Sequence, residues 1–272
     1  MSEAAADAAA PAVRLEGVSK TFGTRAVLDD VSFDVASGSG FIILGRSGTG
    51  KSVTLRHIVR LMRPDRGRVF VEGDEISALE GPDLSRVRRG IGFLFQNAAL
   101  FDSISVGENV AFPLRRHTKL SDREIKERAT EKLAAVGLES EYETMPAALS
   151  GGMRKRAALA RAIALDPLII FYDEPSSGLD PVATAVISQL INDMKTKMGL
   201  TNVVITHDIQ SAFEIADHIV LLHRGKIAAQ GTVPDILQNE DPLVRQFITG
   251  SATGPLEIRS SEGDYYNDLL NL

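Results

Sequence analysis

The 272-residue sequence predicts an α/β fold with a mostly parallel core sheet, an N-terminal antiparallel β-subdomain and a helical subdomain. Three observations predict it. Two uninterrupted apolar runs, "FIIL" at 41–44 and "LIIFY" at 168–172, read as short strands buried on both faces, as in a parallel sheet. Strand signals alternate with helical ones along most of the chain, the order expected of an α/β core. Between Ser121 and Leu165 helical spacing prevails.

The elements follow in order. "MSEAAADAAAP" carries no large apolar group and reads as a mobile tail over 1–12. "VRLEGVSKTFG" and "AVLDDVSFDVASG" alternate apolar and polar residues, which predicts the antiparallel strands. "FIIL" is followed by "GRSGTGKS" and then "VTLRHIVRLM", where Val53 or Leu55, Ile58, Val59 and Met62 recur at helical spacing. In "SDREIKERATEKLAAVGL", Ser121 with Glu124 three residues on forms a capping-box pattern. "TNVVITHD" and "HIVLLHRGKIAAQG" supply the late strands, and there is no internal repeat.

A formal charge of −6 with no long basic block argues against a nucleic-acid-binding protein. The absence of cysteine excludes a disulfide framework, a thiolate nucleophile and a cysteine metal site. The N-terminus has no signal-peptide pattern, and no window approaches ~18 uninterrupted apolar residues, so the chain is expected neither to cross a bilayer nor to be exported by that route.

"GRSGTGKS" fits G-x-x-x-x-G-K-[ST], in which glycines let the backbone wrap an anion and the following helix adds its positive end. Lys51 would reach the β and γ phosphates of a nucleoside triphosphate and Ser52 would bind Mg²⁺. The strand "LIIFYDE" would deliver Asp173 to Mg²⁺ and Glu174 to the attacking water. "LSGGM" opens the cationic helix "RKRAALARAIAL" with Ser150 as N-cap and Gly151 and Gly152 allowing close approach, a second phosphate-facing helix start.

From about Val13 to Phe247 the chain resembles the ATPase subunit of an ABC transporter, a P-loop NTPase. "GRSGTGKS" is similar to its Walker A, "LSGGM" to its signature, "LIIFYDE" to its Walker B, "SGLD" at 177–180 to its D-loop and "THD" at 206–208 to its switch-histidine segment. The resemblance implies ATP and Mg²⁺ as cofactors and a head-to-tail homodimer in which one signature helix completes the partner's site. ATP would contact Gly45, Arg46, Ser47, Gly48, Thr49, Gly50, Lys51, Ser52, Val53, Phe22 against adenine, and Ser150, Gly151, Gly152 and Asp180 across the dimer. It also implies that Gln96 bridges Mg²⁺ or water to the membrane partner, and that His207 senses the γ phosphate beside the catalytic Glu174 and Lys51. Met153 stands where the signature commonly has Gln, and Gly178 where the D-loop commonly has Ala; neither removes a phosphate-facing group.

"FLFQNAALFDSISVGENVAFPLRRHTKLS" and the tail "DPLVRQFITGSATGPLEIRSSEGDYYNDLL" resemble the Mla/MCE branch, whose systems move lipids between bacterial membranes. That implies an integral-membrane permease, partners with MCE and STAS domains, no nucleic acid, and a peripheral position on the cytoplasmic face of the inner membrane. Residues 248–272 are expected to be a docking extension, with Tyr265, Tyr266, Leu269 and Leu270 as anchors. A small-solute importer subunit and a soluble ABC ATPase remain as alternatives. A P-loop GTPase is not favoured, since N-K-x-D is absent. His57, His117, His218 and His223 receive no role.

Overall fold

The computed structural model describes residues 10–256. In chain order, β1 (Val13–Phe22) and β2 (Arg25–Val35) form a hairpin, and β3 (Gly40–Leu44) leads into α1 (Lys51–Ile58). Then come β4 (Arg66–Val71), β5 (Asp74–Glu75), α2 (Gly81–Arg89) and β6 (Ile91–Leu94). Three helices follow, α3 (Val106–His117), α4 (Asp122–Ala134) and α5 (Gly151–Ala162). The remainder is β7 (Ile169–Asp173), α6 (Pro181–Met198), β8 (Thr201–Thr206), α7 (Ile209–Ile215), β9 (His218–His223), β10 (Lys226–Gly231), α8 (Val233–Gln238) and α9 (Pro242–Thr249).

Two sheets result. The first is antiparallel in the order β2-β1-β4-β5, and the second has the order β10-β9-β3-β8-β7-β6. All neighbours in the second sheet are parallel except β9 and β10. Its central strands are buried on both faces, so alternate side chains enter different cores. Ile42, Leu44, Ile170, Tyr172 and Val204 join the core made with the helices. Phe41, Ile43, Ile169, Phe171 and Val203 join the core made with α1 and the antiparallel sheet.

The helical region begins earlier than expected, at Val106 and not near Ser121. Gly107 and Pro113 within α3 disguise it, since both are breakers in an isolated helix. Tertiary contacts override them: Ser105 caps the helix by accepting from the Glu108 N–H, and Asn109 holds the approach by bonding Phe101 N–H and the carbonyls of Phe101, Ile104 and Ser105. The expected capping box of Ser121 and Glu124 opens α4. Helix α1 stops at Ile58, so Met62 lies beyond it. There Arg60 turns left-handed at φ 57°, and Arg88 of α2 donates to the carbonyls of Val59 and Arg60.

The tail expected over 1–12 falls mostly outside the described residues, as do Tyr265, Tyr266, Leu269 and Leu270. Just before them, buried Gln246 of α9 clamps the chain by accepting from Leu256 N–H at 2.6 Å and donating to the carbonyls of Ser251 and Leu256.

Behind the strand end that carries Asp173, fully buried Asn202 accepts from the Tyr172 hydroxyl at 3.1 Å and donates to the Ile191 carbonyl at 2.7 Å. Asn202→Leu leaves the buried Tyr172 hydroxyl without a partner and is expected to lower stability by about 1–3 kcal/mol, read from urea unfolding.

Candidate functional site

Parallel pairing aligns the carboxyl ends of three strands. Leu44 of β3 is paired with Thr206 of β8, and Asp173 of β7 with Ile205 of β8. Residues that follow these ends therefore emerge together at one edge of the sheet, the place where open α/β sheets bind ligands.

The loop after β3 needs its glycines for different reasons. Gly45, at φ 158°, leaves no room for a Cβ, which would stand 2.6 Å from the Thr49 hydroxyl and 2.7 Å from the Leu222 carbonyl. Gly50, at φ 104°, caps α1 while packed on Val27 and Leu28. Thr49 bonds back to the Arg46 carbonyl at 2.9 Å, so the loop is braced from within. Arg46, Ser47 and Gly48 are exposed at its rim, and Val53, within α1, packs partly buried against the core shared with the antiparallel sheet. The Lys51 ammonium, nearly buried, donates to the carbonyls of Gly45 at 2.7 Å and Arg46 at 3.2 Å. Burial pulls its pKa down, and the Glu174 carboxylate 3.4 Å away opposes that shift.

Glu174 lies immediately after β7 with a left-handed backbone, φ 48°, uncommon for any side chain but glycine. Its N–H donates to the Ile205 carbonyl at 2.9 Å. One carboxylate oxygen faces Lys51; the other accepts from the His207 N–H at 3.3 Å and stands 2.8 Å from His207 Nδ1. Three residues far apart in sequence thus meet: 51, 174 and 207. A carboxylate between an ammonium and an imidazole, beside a loop of the phosphate-binding pattern, can take a proton from water next to a phosphate chain.

The residues also suit Mg²⁺. Asp173 Oδ1 is buried with no hydrogen-bond partner, and the Ser52 hydroxyl near this carboxylate acts to lower its pKa. Burial raises the Asp173 pKa, the Glu174 charge adds to the rise, and Lys51 opposes it. Among the described residues no three His, Cys, Asp or Glu side chains converge. Two hard oxygens completed by phosphate are a donor set for Mg²⁺, which seldom occupies an all-protein cage.

Other predicted residues stand apart from this cluster. Ser150 caps α5 by accepting from Met153 N–H at 3.2 Å. Asp180 caps α6 within its own chain, accepting from Val182 and Ala183 N–H at 2.9 Å. Ser150, Gly151, Gly152 and Asp180 line a pocket of their own, shared with Gly178 and Val186 and with no residue of the phosphate loop. Gln96 reaches neither Ser52 nor Asp173 by a hydrogen bond; its amide donates to Ser177 Oγ at 3.4 Å. Phe22 is 37% exposed at the end of β1, with the Lys20 ammonium 5.7 Å from its ring centre.

Three cations of α5 do what their sequence context did not disclose. Lys155 donates to the Glu174 carbonyl at 3.1 Å, Arg156 to those of Val136 and Gly137 at 3.0 Å, and Arg161 to those of Ala98 and Ala99 at 2.9 and 2.7 Å. A run of basic residues ordinarily means a solvated face, so nothing in "RKRAALARAIAL" marked these as clamps.

The loop geometry separates two conservative changes. Gly48 faces open space, where a Cβ would have Arg25 Nη2, 3.9 Å away, as its nearest neighbour, whereas a Cβ at Gly50 meets Leu28 Cδ2 at 2.7 Å and the Val27 carbonyl at 2.8 Å. Gly48→Ala should cost about 1–2 kcal/mol from its positive φ alone, and Gly50→Ala about 2–5 kcal/mol, compared by urea unfolding.

Comparison with known proteins agrees with this geometry. A family model described as ABC transporter matches residues 28–177. The intermembrane phospholipid transport system ATP-binding protein MlaF of Escherichia coli (strain K12) is 43% identical over 258 residues, 95% of this chain and 96% of that protein. The probable ribonucleotide transport ATP-binding protein mkl of Mycobacterium leprae (strain TN) is 42% identical over 245 residues, 90% of this chain and 71% of that protein. Among solved structures, the dimeric ATP-binding cassette MJ0796 bound to ADP and Pi superposes with a TM-score of 0.75 at 34% identity, covering 81% of this chain and 98% of that one. The cbiO1 subunit from Clostridium perfringens shares the fold, with a TM-score of 0.78 at 24% identity and coverage of 97% and 100%. Identity at this level over nearly the whole length assigns the protein: the chain belongs to the ABC transporter family, among its ATP-binding subunits.

Proposed function

We propose that this chain hydrolyses ATP to drive phospholipid transport between bacterial membranes, working as a head-to-tail homodimer on a membrane permease at the cytoplasmic face of the inner membrane. The observation that carries the hydrolytic part is Glu174, placed between Lys51 and His207 at the mouth of the phosphate loop. Lys51 and the loop N–H groups would hold the β and γ phosphates, with Phe22 against the adenine. Ser52 and Asp173 would hold Mg²⁺, with Gln96 near its water shell; when bound, the ion neutralises charge developing on the phosphate oxygens. Glu174 would orient water and accept its proton as the water oxygen bonds the γ phosphorus and the bond to ADP breaks. His207 would keep the carboxylate aimed. Ser150, Gly151 and Gly152 would face the nucleotide on the second subunit, with Asp180 near the crossing.

No helix among the described residues is long and apolar enough to cross a membrane. One observation supports the membrane role. Phe101 and Phe112, 46% and 49% exposed with ring centres 5.0 Å apart, form an apolar patch close in sequence to Gln96, of the kind that marks protein contacts. Full-length correspondence with a phospholipid-system subunit favours a lipid over the ribonucleotide for which the mycobacterial relative is named. Proteins with MCE and STAS domains would complete the complex, and residues 248–272 would dock within it.

Glu174→Gln is expected to retain ATP binding and to lose about 10²–10⁴ of its hydrolysis rate, with ATP-bound dimers accumulating in size-exclusion chromatography. Turnover at the wild-type level removes Glu174 from the chemistry. For the cargo, the complex purified with its permease and placed in liposomes should move labelled phospholipid in an ATP-dependent way and leave labelled ribonucleotide outside. The reverse result overturns the lipid assignment.

A further inference from the structure

Three lysines are buried among the described residues: Lys51, Lys132 and Lys155. Lys51 belongs to the phosphate loop, and Lys132 is matched by Asp166 at 2.6 Å. Lys155 is different. It is 5% exposed, yet among the described residues no carboxylate lies within ion-pair distance of its ammonium; its hydrogen bond goes to the main-chain oxygen of Glu174 at 3.1 Å. Enclosing an ammonium is costly unless its hydrogen bonding and charge are compensated, and an apolar residue would fill the same space more favourably. Its compensation comes from the Glu174 carbonyl and, through space, from the acids of Glu174 and Asp173.

The bond falls at a strained point. Glu174 adopts φ 48°, a conformation unfavourable by about 1–2 kcal/mol for a residue with a Cβ. It persists because both peptide groups of Glu174 are held: its N–H by Ile205 of β8, and its carbonyl by Lys155 Nζ and, at 3.1 Å, by the N–H of Ser177. That backbone direction turns the carboxylate toward Lys51 and His207. If the carbonyl rotated away, the same side chain would point elsewhere.

We propose that Lys155 is a positioning residue for Glu174, holding its left-handed backbone so that the carboxylate stays aimed at the reacting water. The inference rests on Glu174 being the water-activating group. Lys155 acts through the peptide carbonyl of Glu174. It joins α5, the helix opened by Ser150, to the residue that performs hydrolysis.

Its test is kinetic, on the full-length chain with MgATP. Lys155→Met keeps the length and apolar stem without the donor, and should reduce kcat about 10- to 100-fold, the scale of a misplacement near 1 Å, while KM and the affinity for a fluorescent ATP analogue stay within about threefold of wild type. Lys155→Arg, which retains charge and donors, should restore most of the rate. In a Glu174→Gln background Lys155→Met should change the residual rate less than about twofold, since its effect runs through the missing carboxylate. Wild-type kcat in Lys155→Met, an equal loss in the Glu174→Gln background, or a loss confined to KM would overturn the proposal. Should Lys155→Met not fold, Lys155→Leu, shorter and equally without a donor, takes its place: a folded variant with wild-type kcat is equally fatal, and one with reduced kcat and unchanged KM supports the role. Wild-type turnover in Glu174→Gln removes the basis of both assignments; an inactive Glu174→Gln beside a normal Lys155→Met removes only this one.

Discussion

Burial of β3, β7 and β8 on both faces is the constraint from which the rest follows. Their alternate side chains fill two separate cores, so these strands have no solvent face on which a reactive group could stand. Chemistry is displaced to the first residues past the strand ends. Parallel register then does the gathering, because Leu44 sits beside Thr206 and Asp173 beside Ile205, and the following residues arrive at one edge without any long loop having to fold into a single path.

At that edge Lys51 and Asp173 are held by protein groups more than by water. Burial disfavours the ammonium of Lys51 and the carboxylate of Asp173, and each is stabilised mainly by the other members of the cluster. Such a set is interdependent: truncating one member leaves another charged and poorly compensated, which in buried pairs costs about 3–5 kcal/mol. The left-handed backbone at Glu174 belongs to the same arrangement. A relaxed backbone there would direct the carboxylate away from Lys51 and His207.

The phosphate loop, the strand bearing Asp173 and Glu174, and the capping box at Ser121 were legible in the sequence because each is a local pattern with a local cause. Glycines at 45 and 50 and an apolar run ending in acids need no distant partner to be recognised. Helix α3 was hidden because Gly107 and Pro113 speak against it locally, while its support comes from Ser105 and from Asn109 bonded to a neighbouring loop. The left-handed Glu174 and the inward turn of Lys155, Arg156 and Arg161 were equally invisible, since their partners are main-chain carbonyls 19 or more residues away. Asp180 stands before Pro181, a local pattern for a helix N-cap, and it caps α6 within its own chain.

That choice of acceptor shapes what evolution can change. Arg161 reads the shape of the turn at Ala98 and Ala99, both left-handed, and Arg156 reads the carbonyls of Val136 and Gly137; neither recognises a side chain. Substitutions in these turns that preserve the backbone path leave the clamps intact, and no compensating change in α5 is required. Tight mechanical joining of the helix to its surroundings is therefore compatible with weak covariation between them, so a map of correlated substitutions would understate how firmly this helix is held.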